Sequence, residues 1–335
     1  MRFSFRCPFW ASCFGASRCS ERPSRFGFEV SHRLAAEIVV QYVFVFGTEG
    51  AHAIMNTTSK GKDRTQLTSV LRRGMDACNV DREESVLVIG ASKDDLDLLQ
   101  QVGFVNITTS NVSLDPINDS ASQLTLNAES IDLPDESFDL VFAHAVLHHC
   151  RSPHRAVCEM LRVARRQVLF FEPNDSLFMR LLTKANFSFP YEIPAVVSNG
   201  FTSGGLGDTQ IPNFIYRWNG NEVLKTAFSY LAEREFICHS YAYWDFYVNE
   251  AELALRKQTR IGAITSAIGA RNFIRLLRLA QSVMNLVPPL RSQGNKFFAG
   301  IAKQSQLRPW LKMHAEGIVF DREFVHAGQD QRTHE

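Results

Sequence analysis

Asn127–Asn174 runs NAESIDLPDESFDLVFAHAVLHHCRSPHRAVCEMLRVARRQVLFFEPN, and its order of loop, strand, helix and strand decides the fold. Phe138–Ala143 (FDLVFA) is a short, nearly continuous apolar run after a turn-rich LPDES. That is the pattern of a parallel strand buried on both faces. Arg155–Ala164 then has helical spacing, with Ala156, Met160 and Val163 on one face and Arg155, Glu159 and Arg162 off it. Ser152 and Pro153 offer that helix an N-cap and a first-turn proline. Gln167–Phe171 (QVLFF) is a second buried strand, ended by Glu172, Pro173 and Asn174. The result is one βαβ unit with polar residues gathered at the strand ends, where open α/β sheets bind ligands.

Toward the amino terminus the pattern repeats. Ser85–Gly90 (SVLVIG) is a buried strand, followed by the turn ASKDD and a helix with Leu96, Leu98, Leu99 and Val102 at its apolar positions. Gly103 ends that helix, and Val105–Asn111 (VNITTSN) is the next strand. Strand, glycine turn, helix and strand form the order of a nucleotide-binding half. Gly90 permits close backbone approach. Ser92 and Asp95 fit the S-x-x-D capping pattern, and Asp94, Asp95 and Asp97 place negative charge on the first helical turn, as the helix dipole favours. A pyrophosphate bound at this helix start would meet like charge.

The AE-x-x-DLP element, SFDLVFAHAVLHHC, SPHRAVCEMLRVARR and VLFFEPN together resemble class I S-adenosyl-L-methionine (SAM)-dependent methyltransferases of the type 11 group, well over residues 66–175 and loosely elsewhere. The resemblance implies a Rossmann-like, doubly wound α/β sheet of seven strands. It is mostly parallel, with an antiparallel last strand inserted beside the fifth, plus a lid. It also implies SAM as cofactor and in-line methyl transfer. By position, Gly90, Ala91 and Ser92 then border the cofactor, Asn111 meets the ribose, Asn127 and Ala128 meet the adenine, and His144 faces the methionine moiety. Two departures stand out. The family's turn carries three glycines where this chain keeps Gly90 alone, and Asn111 replaces the usual acid, with Asp115 as a substitute or simply a turn residue before Pro116. SAM carries no phosphate and is cationic, so the acidic turn suits it better than a dinucleotide. The competing classes are a non-catalytic SAM-fold interaction protein and, less favoured, a dinucleotide-dependent oxidoreductase.

His144 and His149 are the candidate general bases, imidazole being the side chain with a suitable pKa; a structural role for the LHH phrase is the alternative. His148, His149 and Cys150 lack third and fourth ligands at zinc spacing, so no metal is expected. Glu172 and Asn174 end a strand at the ligand edge, to orient an acceptor hydroxyl or to bind loop backbone. Residues 176–218 mix Gly, Pro and aromatics without periodicity, as a substrate loop would. Tyr191, Tyr216, Arg217 and Trp218 are its substrate-side candidates, with packing as the alternative. Beyond it Asn219–Leu231 reads as a helix and Glu235–Val248 as a strand. Ala251–Leu286 reads as helical with Arg and Lys on a solvated or membrane-facing side. Asn295–Lys303 reads as the last strand.

The chain's formal net charge is +1, and no basic stripe with interleaved aromatics occurs, which disfavours nucleic acid and leaves a small-molecule or sugar-like acceptor. Seven cysteines lie scattered; Cys7, Cys13 and Cys19 form no C-x-x-C pair, and Cys78, Cys150, Cys158 and Cys238 fall in or beside core elements, as buried thiols of a cytoplasmic protein do. Residues 1–54 read either as an extension outside the functional domain or as an overlong start, since Met55 opens a polar stretch, NTTSKGKDRTQ, that looks like an ordinary amino terminus. Their first twenty, rich in Arg, Ser, Phe and Cys, faintly resemble a transit peptide, and their apolar run Leu34–Phe46 is too short to span a bilayer. The expected layout is 66–175 as the cofactor core, 176–292 as lid and substrate region with one core strand, 293–311 as last strand, and 312–335 as a polar, frayed tail.

Overall fold

The computed structural model describes residues 65–112, 122–185, 188–246, 253 and 260–324. The extension 1–54 with its cysteines, Asp115, Pro116 and the tail from 325 onward lie outside the described residues. Helix α1 (Thr65–Cys78) precedes β1 (Val86–Ile89), α2 (Lys93–Val102), β2 (Ile107–Asn111), β3 (Ser122–Thr125) and β4 (Phe138–His144). A 3-10 turn (Leu147–His149) leads into α3 (Pro153–Val163) and β5 (Ala164–Pro173). Then come α4 (Leu177–Lys184), α5 (Ile193–Ser198), α6 (Gly220–Tyr230), β6 (Arg234–Tyr243), α7 (Arg260–Ile268), α8 (Ala270–Leu286), α9 (Pro288–Arg291) and β7 (Lys296–Leu307).

These strands make one seven-stranded sheet in the order β3-β2-β1-β4-β5-β7-β6. The pairs among β1 to β5 are parallel, and β7 runs antiparallel to both its neighbours, placing Phe171 beside Phe298 and Cys238 beside Ile301. This is the seven-stranded class I methyltransferase fold, with the order changing direction at β1 and β4, whose carboxyl ends flank the ligand crevice.

Burial on both faces explains the continuous apolar runs. Leu87 and Ile89 of β1 join Val141, Ala143 and the α3 residues Ala156, Val157 and Met160 in one layer. Val86 and Val88 face the other way, into a layer built with Leu71 and Met75 of α1 and Leu98 and Leu99 of α2. Fully burying a large aliphatic or aromatic side chain contributes about 1.5–3 kcal/mol, so these two layers are the main stabilisation of the sheet. The approach of α1 depends on Gly74, where an added Cβ would stand 2.1 Å from the Phe298 ring.

Polar staples account for the motif residues. Glu159 accepts the Ile131 N–H at 2.9 Å and pairs with Arg162, whose guanidinium also donates to the carbonyls of Ile131 and Leu133. The E-x-x-R pair of α3 thereby clamps the IDLPD loop. Asp139 accepts both the N–H and the hydroxyl of Ser85, tying the start of β4 to the start of β1, and also pairs with Arg165.

Several expectations are corrected. The Ser152 side chain makes no cap bond; the Glu129 carboxylate instead takes the N–H groups of Arg151 and Ser152. The strand expected to reach Val248 stops at Tyr243, because the Trp244 N–H turns to Asn285 Oδ1 and its indole N–H to the Leu290 carbonyl. The described part of 251–286 is helical as expected, in two helices, α7 and α8, that meet at Gly269 with φ +83°. Residues 311–320 form a hairpin, β8 (Leu311–His314) with β9 (Gly317–Phe320), in place of a frayed tail. Gly317 turns it at φ +126°, and Lys312 pairs with Asp321 across its ends. No described helix is long and apolar enough to cross a membrane.

Candidate active site

The turn after β1 is the first half of the site. Gly90 has φ +60°, and a Cβ there would lie 2.6 Å from a methyl of Val146, so the position requires glycine on two counts. The Ala91 N–H bonds to the Ser110 carbonyl at 2.9 Å, and Asn111 Nδ2 donates to the Ala91 carbonyl at 3.2 Å. The turn is thus laced to the end of β2, with the Asn111 amide spent partly on holding it.

Ser92 caps α2 in a full capping box: its N–H donates to Asp95 Oδ2 at 2.9 Å and its hydroxyl accepts from the Asp95 N–H. Asp95 is only 4% exposed, and its other oxygen lies 2.6 Å from His144 Nδ1. Burial alone would raise the Asp95 pKa, but the His144 and Ser92 hydrogen bonds outweigh it and hold the carboxyl below its ordinary value. The acidic turn therefore differs from the sequence expectation. Its Asp95 charge points inward to an imidazole, and the box occupies N–H donors that a phosphate would need. Among the described residues no partner engages His144 Nε2.

The next residue, Ala145, holds the uncommon φ of +55°, kept there by its N–H bond to the Phe171 carbonyl at 2.8 Å. This kink seats Val146 against Gly90. Asn127 is exposed and its Oδ1 accepts the Glu129 N–H at 2.9 Å, an Asx turn, while Ala128 and Ile131 are buried behind it.

A second cluster sits at the ends of β4 and β5. Glu172, 2% exposed, accepts the N–H groups of Val146 and Leu147 on Oε1 at 2.8 and 2.6 Å, and its Oε2 lies 2.6 Å from His148 Nδ1. The far side of His148, Nε2, is 3.2 Å from Glu192 Oε2. Burial would lower the His148 pKa, but Glu172 and Glu192 outweigh it and raise it to about 10. His149 joins the same carboxylate at 3.5 Å through Nε2, and its Nδ1 bonds the Gly205 carbonyl at 3.2 Å.

The remaining candidates lie elsewhere. Asn174 is buried and donates to the Gly294 and Ser292 carbonyls, stapling β5 to the lead-in of β7. Trp218 is 0% exposed and packs in the core against Phe170 and His154, with no surface to offer a ligand. Tyr216 bonds His154 Nε2 at 2.9 Å and approaches Glu222. Arg217 donates to Ser188 Oγ and the Phe189 carbonyl, and burial lowers its pKa. Tyr191 is half exposed and packs edge-on against Phe214. The structure thus brings together Gly90, Ala91, Ser92, Asn111 and His144, and separately Glu172 and His149. It does not bring Tyr216 or Trp218 to either group.

Comparison with known proteins follows this geometry. Residues 90–171 match the family model described as a methyltransferase domain. Over those residues the chain is similar to a methyltransferase domain, in keeping with its sheet order. No curated protein matches it. Similar solved structures include a SAM-dependent methyltransferase from Archaeoglobus fulgidus, at 14% identity and TM-score 0.41, covering 76% of this chain and 100% of that one. The plantazolicin methyltransferase BamL, in complex with a triazolic desmethylPZN analog and SAH, is similar at 13% identity and TM-score 0.42, covering 83% and 99%. Magnesium protoporphyrin IX methyltransferase from Synechocystis PCC 6803, with bound SAH, is similar at 10% identity and TM-score 0.39, covering 83% and 96%.

The residues gathered at this strand edge fit SAM, the cofactor of such methyltransferases. The Gly90 backbone keeps a positive φ that suits glycine with Val146 packed against it, the capping box removes the phosphate cradle that SAM does not need, and Asp95 is already engaged by His144 Nδ1. A polar cavity of about 600 Å³ lies at the opposite, amino edge of the sheet, lined by Asp135, Arg162, Arg234 and Lys303 among others, away from these residues. Sequence reasoning missed three features of the candidate site and its neighbourhood: the Asp95–His144 contact, Val146 over Gly90, and Glu192 beside His148 and His149. The S-x-x-D pattern signalled Asp95 as a cap, but its partner becomes visible only once β1 and β4 are known to be adjacent.

Proposed function

We propose that this methyltransferase passes the SAM methyl group in line to a small-molecule or sugar-like acceptor, with His144 as the general base. The observation that carries the reading is the 2.6 Å contact between buried Asp95 and His144 Nδ1, beside the Gly90 turn. An anionic acceptor on Nδ1 keeps that nitrogen protonated and leaves Nε2 as the basic atom. Bound SAM would supply the methyl group to the acceptor's oxygen or nitrogen, its sulfur keeping the electrons of the broken carbon–sulfur bond as SAH forms. His144 Nε2 would take the acceptor's proton. Positioning supplies much of the acceleration, on the order of 7–11 kcal/mol in favourable cases.

Gly90, Ala91, Ser92 and Asn111 border SAM in this reading, Asn127 and Ala128 meet the adenine, and residues 66–175 form the cofactor core. Glu172 acts through the 146–148 backbone. Tyr191 remains the substrate-side aromatic with surface to offer. The near-zero net charge supports a small acceptor over nucleic acid, and the four described cysteines, all free thiols, support a reducing compartment such as the cytoplasm. Calorimetric titration with SAM, SAH and NAD tests the cofactor half: SAM and SAH bind and NAD does not. Absence of SAM and SAH binding at millimolar concentration refutes the reading. A screen of small acceptors for SAH release tests the other half.

A further inference from the structure

We propose that His148, His149 and Glu192 bind one divalent first-row transition-metal ion, with zinc as the best fit. Spacing along the chain hides this cluster, because the third ligand comes from far downstream, at the start of α5. The three donor atoms lie within 4.8 Å of one another. Glu192 Oε2 is 3.2 Å from His148 Nε2 and 3.5 Å from His149 Nε2. Two ligands each about 2.0–2.1 Å from zinc at a tetrahedral angle are separated by about 3.3–3.4 Å. Both edges involving Glu192 therefore already have the dimension of a zinc tetrahedron.

The outer groups are arranged as such a site requires. A carbonyl can only accept, so His149 Nδ1 carries its proton toward Gly205, and in the neutral ring Nε2 presents a lone pair. His148 Nδ1 is likewise held by the Glu172 carboxylate at 2.6 Å, which turns its Nε2 to the centre. Carboxylate and backbone acceptors on the distal ring nitrogen are the usual support of metal-bound histidines. Glu192 is steadied by Asn213 Nδ2 at 3.3 Å. The side chains of Glu192 and His149 are 34% and 28% exposed, so the cluster opens on one side, as sites that keep a position for water or substrate do. Two ligands sit on the 3-10 turn that Glu172 locks to the sheet and the third on the segment after α4. An ion here would pin that segment over the strand ends.

The test uses the full chain, stripped with a chelator, confirmed folded by circular dichroism, and titrated with Co²⁺ and then Zn²⁺. One Co²⁺ per chain with d–d absorption bands is expected, displaced by Zn²⁺. His149→Ala and Glu192→Gln each weaken binding by at least about 100-fold, the upper end of what losing merely an outer hydrogen bond costs. Should His149→Ala fail to fold, the nearly isosteric Glu192→Gln decides. Wild-type protein that takes up no ion overturns the proposal, as do variants that bind as tightly as wild type, or a strong sulfur-to-cobalt charge-transfer band that assigns the ion to cysteines.

Discussion

Replacing Glu172 by Gln tests how the edge of the site is held. The carboxylate is buried and accepts three hydrogen bonds of 2.6–2.8 Å, two from backbone N–H groups and one from His148. Glutamine keeps one carbonyl oxygen for Val146 and Leu147, so those two bonds survive but drop from charge-assisted to neutral strength, a loss of about 1–1.5 kcal/mol each. Its NH2 then faces His148 Nδ1, donor against donor, and the imidazole loses the nearer of its two carboxylates. Removing one partner of a buried ion pair costs about 3–5 kcal/mol. Because the terms share one group they do not add fully, and the expected loss is about 3–5 kcal/mol in total. That is a large part of the roughly 5–15 kcal/mol available to a domain. Urea unfolding followed by circular dichroism, with the chelator present throughout, measures it as a shift in midpoint at constant slope. A loss below about 1 kcal/mol would mean that Glu172 does not hold the 146–148 turn, and the account of the site edge would be wrong.

Three further outcomes follow from the same geometry. Gly90→Ala forces an L residue into φ +60° and drives its Cβ to 2.6 Å from Val146. The backbone cost alone is about 1–2 kcal/mol, and SAM affinity by calorimetry is expected to fall by about tenfold or more. Val146→Ala restores part of it, whereas unchanged affinity would remove the steric argument. Asp95→Asn is expected to lower turnover, read as SAH release with an identified acceptor, by about 10²–10⁴-fold with SAM affinity nearly kept. Full turnover would dismiss His144 as an oriented base. Burial raises the Asp139 pKa, but the bonds from Ser85 and Arg165 outweigh it and hold it below the ordinary value; Asp95 is also depressed. Both stabilise the fold fully above the unfolded carboxyl pKa, and that stability is lost as pH falls through the folded values. Asp139→Asn should flatten the decline of the urea midpoint between about pH 5 and about pH 2; an unchanged decline would count against the staple.

How much was legible depends on whether a residue's role is set locally. β1, β4 and β5 were readable because burial on both faces demands unbroken apolar runs, and α3 because one face of it must be apolar. The S-x-x-D box is local in sequence and was legible as a cap. Its bond to His144 was not, since it joins the ends of two strands that only the sheet order makes neighbours. Trp218 and Tyr216 were misplaced for a related reason. A stretch without periodicity looks like surface, yet Trp218 lies against β5 and α3 through contacts with Phe170 and His154. Glu192 carried no signal at all, because its partners are more than forty residues upstream. The helix α1 was not foreseen; it is recognisable only through what it covers, the Phe298 ring at Gly74.

The single-glycine turn is where sequence and structure bear most directly on each other. Glycines in a phosphate-binding turn let the backbone approach the anion and leave its N–H groups free. In this chain the box formed by Ser92 and Asp95 consumes those donors, which disfavours a pyrophosphate at this helix start. The substitution also adds a carboxylate, and burial of an unpaired carboxylate is costly. His144 supplies the partner, so the charge that stabilises the α2 N-terminus also fixes the imidazole at the end of β4. The glycine-poor turn and the held imidazole are in this sense one structural unit. A Ser92→Gly variant that reverts toward the usual turn should loosen Asp95 and weaken the hold on His144 while leaving Gly90 in place.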